Sequence, residues 1–116
     1  MMLSVVIPVR DGAGTLGACL DALGASERRA DEVIVVDDGS TDESAAIAAR
    51  HGARVVTVPG GPLGPAAARN RGTAAALGDL LVFVDSDVVV KPDALALVER
   101  RLAENPATAG VFGAYD

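Results

Sequence analysis

The triplet Asp85-Ser86-Asp87 directly follows an apolar run, Leu80–Val84, which is typical of a buried strand. Two carboxylates separated by one residue at the end of a strand can both face a hard divalent ion. Mg²⁺ and Mn²⁺ take oxygen ligands and keep open positions for phosphate oxygens and water. We therefore consider Asp85 and Asp87 as ligands of Mg²⁺ or Mn²⁺, because of their place after a strand rather than because of the triplet alone.

A second acidic pair, Asp37 and Asp38, follows the apolar run Val33–Val36. A carboxylate at such a strand end can accept hydrogen bonds from a base N–H or a ribose hydroxyl. The next residues include Ser40 and, three positions later, Glu43, which is the spacing of a capping box. The pattern predicts a strand, a tight turn and a helix that begins at Ser40.

Strands and helices alternate along the rest of the chain. Short apolar runs predict five strands, at Leu3–Val9, Val33–Val36, Val55–Val58, Leu80–Val84 and Val111–Phe112. Ala-rich segments between them predict helices. Successive strand–helix units form a parallel sheet, so we expect a single α/β domain, residues 1–116, with a Rossmann-like sheet and helices on both faces.

Ligands of such sheets bind outside the carboxyl ends of the strands. The sequence places five carboxylates at these ends, on Asp11, Asp37, Asp38, Asp85 and Asp87. Like charges that lie close together are unfavourable unless a cation or a ligand rich in donors offsets them. Arg69 is one of few basic residues expected near this edge, and it can pair with a phosphate or with Asp38.

The composition excludes several partners and compartments. The net charge is −6 and aromatic residues make up 3% of the chain, which argues against a nucleic-acid partner. No apolar run reaches the roughly 18–20 residues of a membrane span, and the first residues do not have the pattern of a signal peptide, so we expect none. The single cysteine, Cys19, cannot form an internal disulfide, so we expect a cytoplasmic protein.

A dinucleotide-binding domain is an alternative. Gly12–Gly17 matches GxGxxG after a strand, and Asp37 lies twenty residues further on, where such a domain places a ribose-binding acid. Three features disfavour this NAD or FAD hypothesis. Pro8 would interrupt the ladder of a central strand, Asp11 would put a carboxylate near the pyrophosphate, and the acidic pair after the fourth strand has no role in hydride transfer.

A third hypothesis is non-enzymatic. The strand at Leu80–Val84 could leave an unfinished sheet edge, and unpaired edges invite association with another chain. The chain would then be a half-domain that works by pairing, or a homo-oligomer through this open edge.

Four segments together resemble the family 2 glycosyltransferases of the GT-A fold. They are VIPVRD at Val6–Asp11, VIVVDDGSTD at Val33–Asp42, AARNRG at Ala67–Gly72 and VFVDSD at Val82–Asp87. The resemblance implies the donor-binding half of an enzyme that holds a nucleoside-diphosphate sugar, of the UDP or GDP type, with a divalent metal. It implies inverting transfer of the sugar to an acceptor hydroxyl, and the sequence names no acceptor.

The resemblance also implies roles for the matched residues. Pro8, Val9 and Asp11 would line the base pocket, Asp38 would contact the pyrimidine ring, and Asp37 would support that turn. The residue after Val9 is usually aromatic in the family and is Arg10 here, so base stacking is in question.

On the phosphate side, the resemblance places Arg69 and Asn70 beside the nucleotide. Asp85, with Ser86, would face the ribose or a metal-bound water, and Asp87 would chelate the metal. The family's general base comes from a later region, so we expect it beyond Asp116 and expect this chain to be shortened at its C-terminal end. Such a chain would bind donor better than it transfers sugar, and a longer parent protein could be membrane-associated.

Overall fold

The computed structural model describes the backbone of residues 1–104 and 111–113 and the side chains of residues 1–104. Its elements in chain order are β1 (Leu3–Val9), α1 (Ala13–Gly24), β2 (Glu32–Asp37), α2 (Ser44–Arg50), β3 (Arg54–Thr57), α3 (Pro65–Ala75), β4 (Leu80–Phe83), α4 (Ala94–Glu104) and β5 (Val111–Gly113). The predicted alternation of strands and helices is confirmed. Asp116 lies outside the described residues.

All five strands are parallel, in the order β3-β2-β1-β4-β5. The chain moves outward from β1 to β2 and β3, and then returns to the other side of β1 to form β4. The strand order therefore reverses between β1 and β4. In parallel sheets a crevice opens at the carboxyl ends of the strands beside such a reversal, and ligands bind there.

Side chains of the central strand β1 alternate between two cores. Leu3, Val5, Ile7 and Val9 are buried in the larger core, where side chains of α1, α2 and α4 cover the sheet. Val6 belongs to a smaller core on the opposite face, under α3. The predicted Rossmann-like sheet with helices on both faces is confirmed.

Pro8 is tolerated in the central strand because the β1–β4 ladder ends beside it. The N–H of Val84 donates to the Val6 carbonyl at 3.0 Å, and the pairing of β1 with β4 ends at Val6 and Phe83. The backbone nitrogen of Pro8 faces β4, as the backbone groups of Val6 do, because every second residue of a strand directs its backbone groups to the same neighbouring strand. It has no N–H with which to continue the ladder. The pairing with β2 continues to Val9, so β1 and β4 separate at the crevice.

Two predictions are wrong. β4 pairs with β5 as well as with β1, so the edge after the fourth strand is not open, and the proposed association through it loses its basis. The capping box at Ser40 and Glu43 does not form either. α2 begins at Ser44, and its N-cap residue, Glu43, makes no side-chain hydrogen bond to the first turn. The Ser40 hydroxyl oxygen accepts the backbone N–H of Asp11 instead, and the N–H of Ser44 donates to Asp42.

Across residues 1–104 and 111–113, no helix has both the length and the apolar content that are needed to cross a bilayer.

Candidate functional site

A cleft of about 340 Å³ lies at the carboxyl ends of β1, β2 and β4, beside the first turn of α3. Its lining includes six of the residues predicted from the sequence, namely Pro8, Val9, Asp38, Arg69, Asp85 and Ser86. Pro8 and Val9 belong to β1 and Arg69 to α3, and the other three lie in the loops directly after β2 and β4, far apart in the chain. The reversal of strand order between β1 and β4 brings them together.

Four predicted residues do not line this cleft. The side chains of Asp11 and Asp37 contact backbone N–H groups of the turn after β2 instead. Asn70 is exposed one residue beyond Arg69, and Asp87 is exposed two residues beyond Asp85. Of the five carboxylates expected at this edge, only Asp38 and Asp85 line the cleft. Asp11 links the β1–α1 loop to the β2–α2 loop through Thr41, and Asp37 closes the β2–α2 turn through Ser40.

Asp38 is buried, with 4% of its surface exposed. Its two carboxylate oxygens accept the backbone N–H groups of Leu63 and Gly64, each at 2.8 Å. A buried carboxylate needs such partners, since an unpaired charge in the interior is costly. Asp38 thus holds the loop that leads into α3 and that forms one wall of the cleft.

Gly39 allows this loop to approach the end of β2. A Cβ atom at Gly39 would lie 2.7 Å from the backbone nitrogen of Pro62, and its φ of +75° is the left-handed conformation that glycine adopts readily. Next to it, an oxygen of Asp37 accepts the N–H of Ser40 at 3.0 Å and closes the turn. The acidic pair at the end of β2 therefore shapes the cleft through hydrogen bonds to backbone N–H groups.

The start of α1 is held by the loop after β2. Side chains of that loop accept three consecutive N–H groups: Ser40 Oγ accepts from Asp11, Ser44 Oγ from Gly12 and Asp42 Oδ2 from Ala13, at 2.9, 3.0 and 3.0 Å. Hydrogen bonds from the Ser44 hydroxyl and from the Ala13 N–H lower the pKa of Asp42.

These bonds decide against the dinucleotide alternative. A pyrophosphate in that fold would be bound by N–H groups at the start of the first helix, and here side chains already occupy those of Gly12 and Ala13.

Asp85 and Arg69 lie side by side in the lining of the cleft. The Arg69 Nη2 and Asp85 Oδ1 atoms are 3.9 Å apart, and the side chains are 43% and 47% exposed. An ion pair this long and this exposed contributes little to stability. Both groups are therefore available to a ligand that carries charge of either sign.

The Asp85–Asp87 pair fits a metal only in part. Within residues 1–104, no three His, Cys, Asp or Glu side chains are grouped closely enough to hold an ion by themselves. Mg²⁺ and Mn²⁺ commonly take one or two carboxylates and complete their shell with phosphate oxygens and water. The two exposed carboxylates suit an ion that arrives with a phosphate ligand.

The turn that carries these carboxylates rests on α1. The Asp85 carbonyl accepts the N–H of Val88 at 3.0 Å and lies 3.6 Å from the Cys19 thiol, which donates to it. Burial, and then the charges of Asp87 and Asp85, raise the pKa of Cys19 to about 11. Gly12 packs under the same turn, since an added Cβ would lie 3.2 Å from the Ser86 hydroxyl.

The cleft also contains Arg10, Gly64, Pro65 and Ala68. Arg10 and Ala68 lie within the segments that resemble the family, but the resemblance assigns no ligand contact to any of the four individually. Gly64, Pro65 and Ala68 supply its wall because the Asp38 carboxylate fixes the loop before α3. In the sequence, Arg10 stands out only as a departure from the family pattern. Its position directly after a predicted strand is the signal that places it at the cleft.

The chain matches the family model described as "Glycosyl transferase family 2" over residues 4–116. It is 39% identical over 94 residues to glucosyl-3-phosphoglycerate synthase of Mycolicibacterium paratuberculosis, covering 75% of this chain and 29% of that protein. It is also 30% identical over 116 residues to glycosyltransferase GlyA of Streptococcus pneumoniae, covering 97% of this chain and 17% of the relative.

Two solved structures share the fold. S. aureus TarS 1–349 in complex with UDP-GlcNAc superposes with a TM-score of 0.83 at 27% identity, over 91% of this chain and 32% of that one. Glucosyl-3-phosphoglycerate synthase from Mycobacterium tuberculosis, in complex with Mn²⁺, UDP and glucosyl-3-phosphoglycerate, has a TM-score of 0.73 at 34% identity, over 87% and 39% of the two chains.

The chain thus spans less than a third of the M. paratuberculosis and S. pneumoniae relatives, and these are named as glycosyl-transferring enzymes. The family match covers nearly all of this chain and includes every element around the cleft. The chain belongs to glycosyltransferase family 2.

Proposed function

We propose that the cleft binds a nucleoside-diphosphate sugar, of the uridine or guanosine type, together with Mg²⁺ or Mn²⁺, as the donor-binding half of an inverting glycosyltransferase. The observation that carries the proposal is the exposed Asp85–Arg69 pair, at 3.9 Å, in a cleft at the reversal of strand order. A carboxylate and a guanidinium side by side suit a metal–diphosphate ligand, which offers both a cation and phosphate oxygens.

The relatives support the nucleotide and the metal. The structure of the M. tuberculosis synthase contains UDP and Mn²⁺, and that of TarS contains UDP-GlcNAc. The sequence identity to the first of these, 34%, extends over 87% of this chain. On that basis we assign the same class of ligand, a nucleotide with a divalent metal, to this chain.

Asp85 and Asp87 are the residues that would hold the metal. When bound, the metal supplies positive charge that offsets the negative charge developing on the departing nucleoside diphosphate. Arg69 binds a phosphate oxygen on the same side of the cleft. Asp38 holds the loop at Leu63 and Gly64, and it thereby keeps the wall beside the nucleotide in place.

The cleft as described binds donor and has no evident group for activating an acceptor hydroxyl. Within residues 1–104 its lining contains two carboxylates, Asp38 and Asp85. Asp38 is buried with both oxygens bound, and Asp85 is assigned to the metal. A general base, which commonly contributes roughly 10²–10⁴-fold, would come from elsewhere in a longer protein, as the family resemblance implies.

Calorimetric titration with UDP, with and without MnCl₂, tests the proposal. We expect Mn²⁺ to raise the affinity, and we expect Asp85→Asn to lower the affinity measured with Mn²⁺ about ten- to hundredfold, since contacts to charged groups contribute about 1.5–3 kcal/mol. Glu104→Gln removes one exposed charge at the end of α4, remote from the cleft, and serves as the control. UDP affinity that is indifferent to Mn²⁺ and to Asp85 would contradict the proposal.

A further inference from the structure

The charged side chains that line the cleft balance one another. Among residues 1–104 they are two arginines, Arg10 and Arg69, and two aspartates, Asp38 and Asp85. Arg10 takes part in no hydrogen bond or ion pair with the part of the chain that the structure describes. Asp38 is buried and held by backbone N–H groups. Because the charges of this lining sum to zero, the lining does not by itself attract a bare cation.

Arg69 is the cation that offsets the charge of Asp85. Within residues 1–104 it is the one cationic side chain within 4 Å of the Asp85 carboxylate, with its Nη2 atom 3.9 Å from Oδ1. Both side chains are nearly half exposed, so the pair is weak and an incoming group can separate it. Asp85 is therefore paired in the free chain, but loosely.

The two members of the pair differ in how freely they can change partners. Asp85 has a short side chain on a turn that is closed by the bond from the Val88 N–H to the Asp85 carbonyl, at 3.0 Å. Arg69 has a long side chain on α3, whose first residues are fixed where Asp38 binds the Gly64 N–H. An arginine side chain can rotate without any movement of the helix that carries it. A change of partners therefore moves the Arg69 guanidinium and leaves Asp85 in place.

We propose that Arg69 makes the cleft selective for a metal–diphosphate ligand over the bare metal ion, by pairing with Asp85 until a phosphate group draws the guanidinium away. This inference rests on the proposed function. A phosphate is a stronger partner for Arg69 than a carboxylate at 3.9 Å, because its oxygens can accept two N–H groups at short distance. Once Arg69 binds phosphate, the Asp85 oxygens are free for the metal of the same ligand.

This exchange of partners couples the two parts of the ligand. A guanidinium that pairs with Asp85 in the free chain and with phosphate in the complex weakens the binding of metal alone, and it favours the binding of metal and diphosphate together. If Arg69 served only to hold Asp85 in position, its removal would weaken the binding of the bare ion. The two roles therefore predict opposite signs for the same measurement.

Titration with MnCl₂ in the absence of nucleotide measures that sign, with the unbound ion followed by its electron paramagnetic resonance signal. We expect Arg69→Gln, which removes the charge, to bind Mn²⁺ about fivefold more tightly than the unaltered chain, the upper range for an exposed ion pair. Arg69→Lys keeps the positive charge beside Asp85 and should stay within about twofold of the unaltered chain.

Two controls separate the pair from the general field of the protein. Arg71→Gln removes the same charge from the same helix, at an exposed position outside the cleft lining. It should change the Mn²⁺ affinity by less than about twofold, because salt screens exposed charges. In a chain that carries Asp85→Asn, the further change Arg69→Gln should no longer raise the Mn²⁺ affinity. Circular dichroism spectra establish that each variant is folded.

The complete ligand should show the opposite effect. In calorimetric titration with UDP in the presence of MnCl₂, we expect Arg69→Gln to bind about tenfold more weakly, since it loses a charge-assisted contact to phosphate. Arg71→Gln should bind UDP as the unaltered chain does. A gain for the bare ion together with a loss for the nucleotide is not expected from a distorted cleft, which would weaken both.

Several outcomes would overturn the selective role of Arg69. They are Mn²⁺ binding that Arg69→Gln leaves unchanged or weakens, a gain that Arg69→Lys or Arg71→Gln shares, a gain that persists with Asp85→Asn, and UDP affinity that does not fall. Failure of the unaltered, folded chain to bind UDP with Mn²⁺ overturns the proposed function instead. The titrations with MnCl₂ alone then still decide whether Arg69 competes with a cation for Asp85.

Discussion

At the scale of single residues, the carboxylates near the cleft differ in how far the protein itself satisfies them. Asp38 is buried and accepts two N–H groups at 2.8 Å, whereas Asp85 is 47% exposed and has a single ion-pair partner at 3.9 Å. Both follow apolar strands, so the sequence treats them alike. Their different surroundings make Asp38 a support of the cleft wall and leave Asp85 free for a ligand.

Gly72 and Gly14 form a matched pair of helical glycines. Gly72 is buried in α3, where an added Cβ would overlap the Val6 side chain and lie 3.0 Å from Val36 Cγ2. We expect Gly72→Ala to lower the free energy of unfolding by about 1–3 kcal/mol, the usual cost of overpacking. Urea unfolding followed by circular dichroism measures it.

Gly14→Ala is the counterpart in α1, with nothing near the added methyl group. Because alanine has the higher helix propensity, we expect this variant to gain about 0.5–1 kcal/mol. Equal effects of the two substitutions would contradict the close packing of α3 on β1 and β2.

At the scale of elements, the loops after β1 and β2 act as one unit. Asp42 accepts the Ala13 N–H from one side, and from its own loop it accepts the hydroxyl and the N–H of Ser44. The hydrogen bond from the Ser44 hydroxyl has the largest effect on the Asp42 pKa, and the bond from the Ala13 N–H has the next largest. Both lower this pKa in the folded chain below its ordinary 3.8. A carboxylate with a lowered pKa stabilises the fold in its ionised form.

The pH dependence of the free energy of unfolding tests these hydrogen bonds of Asp42. The stabilising contribution of Asp42 is present above pH 3.8 and is lost as the pH falls through the lower pKa of the folded state. Asp42→Asn should therefore be less stable than the unaltered chain at pH 7, and the difference should shrink below about pH 4. Urea unfolding across the range from neutral to acidic pH measures it. A difference that stays constant with pH would contradict the assignment.

At the scale of the whole molecule, Cys19 reports on opening of the larger core. It is the single cysteine of the chain, it is fully buried, and its thiol lies under the turn after β4. Burial, reinforced by the charges of Asp87 and Asp85, raises its pKa to about 11. At pH 8 the folded chain should then hold only about a thousandth of its thiol as the reactive thiolate.

We expect the reaction of Cys19 with Ellman's reagent at pH 8 to be at least about a hundredfold slower in the folded chain than in urea, since both burial and the raised pKa oppose it. The rates are read from the absorbance of the released thiolate. Free cysteine, measured with and without urea, controls for the effect of urea on the reagent. Comparable rates in the two states would show that the core around α1 and β4 opens readily.

The alternation of apolar and helical segments is enough to predict the parallel sheet, because each strand–helix unit buries its apolar face in only a few ways. The same alternation predicts that Asp38, Arg69 and Asp85 lie near one edge, and all three line the cleft. Such a pattern does not specify which side chain of a loop bonds to which backbone group. This is why the pattern assigns Ser40 to a cap that does not form.

What the sequence determined by itself is the order of the elements, the residues at each strand end and the family, since all three depend on local pattern and on motif. Only the tertiary structure decided that Asp11 and Asp42 tie two loops together, that β5 covers β4, and that Arg10 faces the cleft unpaired among the described residues. These are contacts between residues distant in the chain. Which polar group finds a partner depends on the distances and directions that the packed sheet imposes.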